Sequence, residues 1–237
     1  MSKRSKEAKQ KFGTSSNFLE PIEPKTPGQK ELLEAINNYE IVICDGPAGS
    51  GKSFLSFGMA LRHYLIEKTV SKIIIVRPTI ASGDDSDLGF LPGDLNEKMM
   101  PYVSPLIKDS ASLLLKPNKY RNVYSERGTD PLGSLLSKVE MEIVPLAFLR
   151  GRTFANCFII LDEAQNCTMN DFKLFLTRIG RNSKTVIEGD STQCDIDDSG
   201  LIHLQKRMLG LDEVRLVKLE KTDIVRNPLI ARLLDRL

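Results

Sequence analysis

Tryptophan is absent from this chain, histidine occurs twice and cysteine four times. Cys44, Cys157, Cys167 and Cys194 form no CxxC pair, and His63 and His203 stand far from them in sequence, which argues against a zinc site. Cys44 and Cys157 lie inside apolar runs, where a reduced thiol behaves as a small hydrophobe, so disulfides are not expected. No run approaches the roughly 20 apolar residues that cross a bilayer, and no apolar core of a signal peptide follows the basic start. The expectation is a cytoplasmic protein with no membrane partner. A strong charge of one sign is also missing: the formal net charge is +2, too mild to announce a polyanionic partner. Basic residues crowd only at the beginning, where Lys3, Arg4, Lys6, Lys9 and Lys11 meet a single acid, Glu7. That arm reads either as a solubilising tail or as a segment that touches nucleic acid.

What is present suits one α/β core. At 237 residues the chain is within the size a single hydrophobic core reaches. Residues 1–22 read as a mobile basic arm and residues 23–237 as one domain. Thr26-Pro27-Gly28-Gln29 combines a cap residue, proline at the first helical position and glutamine three residues after the cap, which marks a helix start. Short apolar runs follow at 41–44, 73–76, 142–146, 157–161, 185–187 and 214–219, the pattern of strands buried on both faces. Helical spacing over 52–66 and 170–179 alternates with them, so a parallel sheet covered by helices on both faces is predicted. Residues 80–131 break the rhythm, with Gly and Asp over 83–93 and prolines at 92, 101, 105 and 117. They read as a helical and loop insert after the second strand, serving partner contact or plain packing.

Gly46-Pro47-Ala48-Gly49-Ser50-Gly51-Lys52-Ser53 satisfies G-x-x-x-x-G-K-[ST] between an apolar strand and a helix, the setting the motif requires. Its glycines let successive amides and a helix start face anionic oxygen. Lys52 is expected to reach the β- and γ-phosphates of ATP, and Ser53 to ligate Mg²⁺. The run 157–161 ends in Asp162-Glu163, an acid placed to hold the metal and a second placed to poise water. Glu188, Gly189, Asp190 and Gln193 follow another strand, so they are expected in the same crevice, with Gln193 as a sensor of the γ-phosphate.

These residues resemble the PhoH family of ATPases, which is similar in turn to the first RecA-type domain of superfamily 1 helicases. The resemblance runs from about Thr26 to the C-terminus and rests on Leu88-Gly89-Phe90-Leu91-Pro92-Gly93-Asp94-Leu95, on Pro145-Leu146-Ala147-Phe148-Leu149-Arg150-Gly151-Arg152-Thr153 and on Asp162-Glu163-Ala164-Gln165-Asn166. It implies a RecA-like P-loop NTPase core, with Gln165 among the nucleotide-contacting residues and Gln193 as a helicase-like sensor. It suggests Gln29 as a reader of adenine, although the same glutamine also completes the Thr26 cap. Arg226, in Val225-Arg226-Asn227-Pro228-Leu229, stands where the family carries Arg-His-Pro-Leu and is the candidate arginine finger. Arg150 and Arg152 compete for that role, and a solvated salt bridge is the alternative for each. Relative to the family, the 80–87 loop reads as longer, and no separate N-terminal domain is expected.

A helicase closes its ATP site between two RecA-like halves, and this sequence supplies one. The expectation is therefore a homo-oligomeric ring, a hexamer by resemblance, in which a neighbour completes the site. Two functions follow from this architecture: ATP hydrolysis coupled to RNA or single-stranded nucleic acid, or nucleotide-driven remodelling of proteins. In the first, Arg77, the insert and the arm would grip phosphates, and Tyr102, Tyr120 or Tyr124 would stack on bases or simply pack. Glu163 speaks against a third class, the kinases, which gain little from a water-poising carboxylate.

Overall fold

The computed structural model describes residues 21–78, 107, 138–196 and 198–225. The basic arm up to residue 20, nearly all of the insert, the LGFLPGDL string, Tyr102, Tyr120, Tyr124 and Arg226 lie outside the described residues.

All six predicted strands form: β1 Ile41–Asp45, β2 Lys72–Arg77, β3 Met141–Pro145, β4 Cys157–Leu161, β5 Lys184–Gly189 and β6 Val214–Lys218. They make one sheet in the order β3-β2-β4-β5-β1-β6, and every neighbouring pair is parallel. Parallel strands leave all their carboxyl ends along one edge, so β1, β4 and β5 deliver residues 45–46, 162–163 and 189–190 side by side.

The period-two alternation of the strands sorts their side chains into two cores. Val42, Cys44, Ile73, Ile75, Phe158, Ile160 and Val186 face the helices α1 Pro27–Asn38 and α2 Lys52–Arg62. Ile43, Ile74, Val76, Ile159, Leu161 and Ile187 face α3 Met169–Leu176 and α4 Leu201–Met208. The start of α1 is capped as expected, because Thr26 Oγ1 accepts from Gln29 N at 3.2 Å. Thr168 and Asp171 form a full capping box on α3. Two helix ends differ from the sequence reading: α2 passes at His63 into a π-helical turn, His63–Glu67, and α3 stops at Leu176 rather than at 179. Thr177 explains the second difference, since its hydroxyl takes the Lys173 and Leu174 carbonyls at 2.9 Å and competes with further helix. Among the described residues no helix is long and apolar enough to cross a membrane.

Lys184, at the start of β5, closes the other end of α1. Its ammonium donates to the carbonyls of Ile36, Asn37 and Tyr39 at 2.7–2.9 Å, covering groups that the helix C-terminus leaves without partners. Lys184→Met keeps the aliphatic stem and removes the donor, and should cost about 1–2 kcal/mol. The thermal unfolding midpoint should fall by several degrees; an unchanged midpoint would refute the capping role.

Candidate active site

The phosphate loop is a backbone curl whose outward-turning groups are pinned from behind. Gly49 and Gly51 adopt φ of +83° and +92°, a region that L side chains resist, so the chain can turn into α2 without strain. Ser50 Oγ donates to the Pro47 carbonyl at 2.7 Å, and Gly46 N donates to the Gly189 carbonyl at 3.1 Å. Gln29 Nε2 donates to the Ser50 carbonyl at 2.8 Å, and Val225 N donates to the Gly49 carbonyl at 3.2 Å. The Lys52 ammonium lies back over the loop and donates to the Gly46 and Pro47 carbonyls. Lys52, Ser53 and Phe54 open α2, where amides have no carbonyl one turn earlier, so the loop ends in an anion-binding helix start.

Asp162 and Glu163 lie beside this loop, at the end of the fully buried β4. Asp162 N continues the ladder to the Val76 carbonyl at 2.9 Å, and its Oδ1 accepts from Glu163 N at 3.0 Å. Glu163 has φ of +57°, a left-handed turn that ends the strand abruptly and lifts its carboxylate out of the sheet. That carboxylate is held on both oxygens: Arg77 Nη2 lies 3.1 Å from Oε1, and Gln165 Nε2 donates to Oε2 at 2.6 Å. Arg77 Nε is also 3.8 Å from Asp162 Oδ2. Burial pushes the Asp162 carboxyl above the usual range, with the Arg77 charge working the other way.

Gln165 joins this pair to the third strand. Its Oε1 accepts from Asp190 N at 3.1 Å while its Nε2 holds Glu163, and it is 4% exposed. Gly189 permits the approach, since a Cβ there would stand 2.8 Å from Gln165 Oε1. Asp190 Oδ1 accepts from Thr192 N and Oγ1, and Gln193 N donates to the Asp190 carbonyl at 3.0 Å. Asn166 and Asp195 exchange two hydrogen bonds of 2.9 and 3.0 Å, clamping the loop of Gln193 to that of Glu163. Arg77, Pro78, Glu163, Gln165, Asn166, Gln193 and Asp195 line one cavity of about 280 Å³.

The structure thus brings Lys52, Ser53, Asp162, Glu163, Gln165 and Gln193 to one edge of the sheet, with the loop Gly46, Pro47, Ala48, Gly49, Ser50 and Gly51 between them. Gln29 is 3% exposed and occupied at both ends of its amide, by Lys25 N at 2.8 Å and by the Ser50 carbonyl. It therefore braces the phosphate loop, and its side chain does not return to the Thr26 amide as a capping box would require. Arg152 is elsewhere. Its Nη2 lies 2.7 Å from Glu142 Oε1, beside Lys72, at the amino ends of β2 and β3, and its guanidinium covers the Phe154 ring. Within its own chain Arg152 therefore belongs to the opposite end of the sheet from the phosphate loop.

Sequence reasoning gave Arg77 to nucleic-acid phosphates and missed its pairing with Glu163 across 86 residues. It also expects Glu188 after the strand, in the crevice of Ser53 and Asp162, and those two are indeed its neighbours. Glu188 is, however, inside β5, 0% exposed, with Oε2 accepting from Ser56 Oγ at 2.7 Å. Burial, then the Asp162 charge, push its carboxyl up to about 8, against the pull of Ser56 and Ser53 hydrogen bonds and of Lys52. Those same interactions put Ser53, Asp162 and Glu188 together beneath the loop. A polar residue breaking the apolar run of a central strand was the signal available for it. Among the described residues no cluster of three His, Cys, Asp or Glu forms a protein-only metal cage. One hydroxyl and one carboxylate beside an anion site suit a hard cation that keeps waters and phosphate as its other ligands.

Comparison with known proteins agrees with this geometry. The chain is 39% identical over 217 residues to a PhoH-like protein of Bacillus subtilis, a match covering 90% of this chain and 63% of the relative. It is 38% identical over 222 residues to Protein PhoH of Escherichia coli, covering 92% and 59%. The chain therefore spans about three fifths of the length of these curated relatives. Among solved structures, the large terminase of a thermophilic bacteriophage in complex with ADP superposes with a TM-score of 0.52 at 11% identity, over 89% of this chain and 49% of that one. At that identity the likeness concerns the fold alone, a parallel sheet covered by helices. The family model described as PhoH-like protein matches residues 21–237, and the chain therefore belongs to the PhoH family.

Proposed function

We propose that this chain hydrolyses ATP with Mg²⁺ and couples the turnover to RNA or another single-stranded nucleic acid, acting as a homo-oligomer. One observation carries the reading: Gln165 holds the Glu163 carboxylate and the Asp190 amide together, at the ends of β4 and β5 on one side of the phosphate loop. A phosphate-binding loop alone serves kinases and hydrolases equally; a carboxylate held above it by a dedicated amide is what water attack needs. Mg²⁺, held by Ser53, Asp162 and phosphate oxygens, supplies charge neutralisation at the β- and γ-phosphates. The loop amides and Lys52 bind and orient the triphosphate, with Lys52 exchanging the Gly46 and Pro47 carbonyls for phosphate oxygen. Glu163 orients the water and takes its proton, and Gln193 reports the γ-phosphate through Asp190 and Gln165. In this reading Gln29 sets the loop, and reading the adenine would require its amide to leave Lys25 N and the Ser50 carbonyl.

Coupling to a polyanion is supported by Arg77. It lines the cavity and touches the water-orienting carboxylate itself, so a nucleic-acid phosphate that draws on Arg77 would act directly on Glu163. Oligomerisation is supported by the place of Arg152. Arg152, at the far end of the sheet, can serve a phosphate only in a neighbouring subunit, and Arg226 is the other candidate for that role. A head-to-tail ring, hexameric in this proposal, satisfies both.

Glu163→Gln should retain ATP binding and lower the turnover by about 10²–10⁴-fold, measured as phosphate release beside a nucleotide-binding titration. Unchanged turnover would remove Glu163 from the mechanism. Turnover of the parent chain should rise with added RNA or single-stranded DNA, and the stimulation should fade as salt is raised. Stimulation by no polynucleotide would favour a protein-remodelling ATPase instead. A monomeric particle mass at full activity in ATP and Mg²⁺ would end the ring.

A further inference from the structure

Glu188 is expensive where it stands. It occupies a central strand between Ile187 and Gly189, it is 0% exposed, and its Oε1 is buried without a hydrogen-bond partner. Strands buried on both faces carry apolar residues, and an unsatisfied carboxyl oxygen there is destabilising unless it serves a site. Its surroundings name the site. Oε2 is anchored by Ser56 Oγ at 2.7 Å, and Ser53, one turn earlier on α2, stands close enough to the carboxyl to favour its ionised form. Asp162, the other residue on the cation side, is tied through Oδ1 to the Glu163 amide.

A serine that ligates a cation offers a lone pair of its hydroxyl, so its proton must be directed at an acceptor elsewhere. Resting on the proposed Mg²⁺-dependent nucleotide site, we propose that Glu188 is a positioning residue: it accepts the Ser53 proton from beneath and turns the Ser53 lone pair toward the divalent cation. Ionised and protonated carboxyls both keep an acceptor oxygen, so the role does not depend on the charge of Glu188. Ser56 fixes the carboxyl plane, and the buried Oε1 is the acceptor held ready. Because the contact lies under the loop rather than on the phosphates, it bears on the metal and not on the nucleotide alone.

The test separates those two. Binding of a methylanthraniloyl-labelled ADP is followed by fluorescence, in EDTA and against added MgCl₂, for the parent, Glu188→Leu and Glu188→Gln. Glu188→Leu should bind the labelled ADP in EDTA as the parent does, yet need about 10-fold more Mg²⁺ to reach the high-affinity complex. Glu188→Gln, which retains an acceptor oxygen, should restore most of the parent response. In a Ser53→Ala background, Glu188→Leu should add nothing further, as expected of residues acting through one another. If Glu188→Leu fails to melt cooperatively, Ser56→Ala removes the anchor of the carboxyl and carries the same expectation. An unchanged Mg²⁺ requirement, an equal loss of affinity in EDTA, or fully additive effects with Ser53→Ala would overturn the positioning role. Absence of nucleotide binding by the parent would instead overturn the nucleotide site on which it rests.

Discussion

A sheet of parallel strands buried on both faces has nowhere to put chemistry except its ends. Strands β1 to β5 are lined by apolar side chains on both sides, and apart from the buried Thr185 and Glu188 their polar groups lie at the two rims, while the edge strand β6 exposes Arg215 and Lys218. The parallel register makes those rims unequal. One collects the loop after β1, the acids after β4 and the glycine after β5, all from strands that are direct neighbours. The other collects Lys72, Glu142 and Arg152, a paired and half-exposed set of charges. The functional reading of the molecule depends on that segregation, because residues separated by more than 100 positions meet only through it.

The charges at the first rim are arranged in mutual contact. Arg77 answers the two acids of β4, Lys52 rests on carbonyls of its own loop, and Glu188 is buried with two serine hydroxyls. Low local polarity makes each of these contacts strong and each missing partner costly. The charged groups of such a site already have partners, which the proposed triphosphate would have to exchange. That exchange would link binding to the geometry of Glu163.

The strands, the phosphate loop and the acidic pair were legible in the sequence because each depends on neighbours within a few residues. Apolar runs of three to six residues mark β1 to β6, and G-x-x-x-x-G-K-[ST] is meaningful once a strand precedes it and a helix follows. What was not legible is pairing across the fold. Arg77 with Glu163, Gln29 with the Ser50 carbonyl and Glu188 with Ser56 are contacts of 86, 21 and 132 residues in separation, and no local pattern encodes them. Helix ends failed for a smaller reason: a threonine hydroxyl at 177 and a π turn at 63 outcompete the next regular turn.

The strap that follows β6 has a consequence for how the site comes into being. Asp223 accepts from the Gly28 amide across 195 residues, and Val225 N holds Gly49, so some of the last described residues complete a loop specified near the beginning. Strand β1 itself lies between β5 and β6, both made long after it. On the ribosome the glycine-rich turn emerges before β5, β6 and Val225, and its setting is complete only once those segments have been made. The motif alone is therefore not the site: the curl that would hold a ligand is finished by segments synthesised well after it.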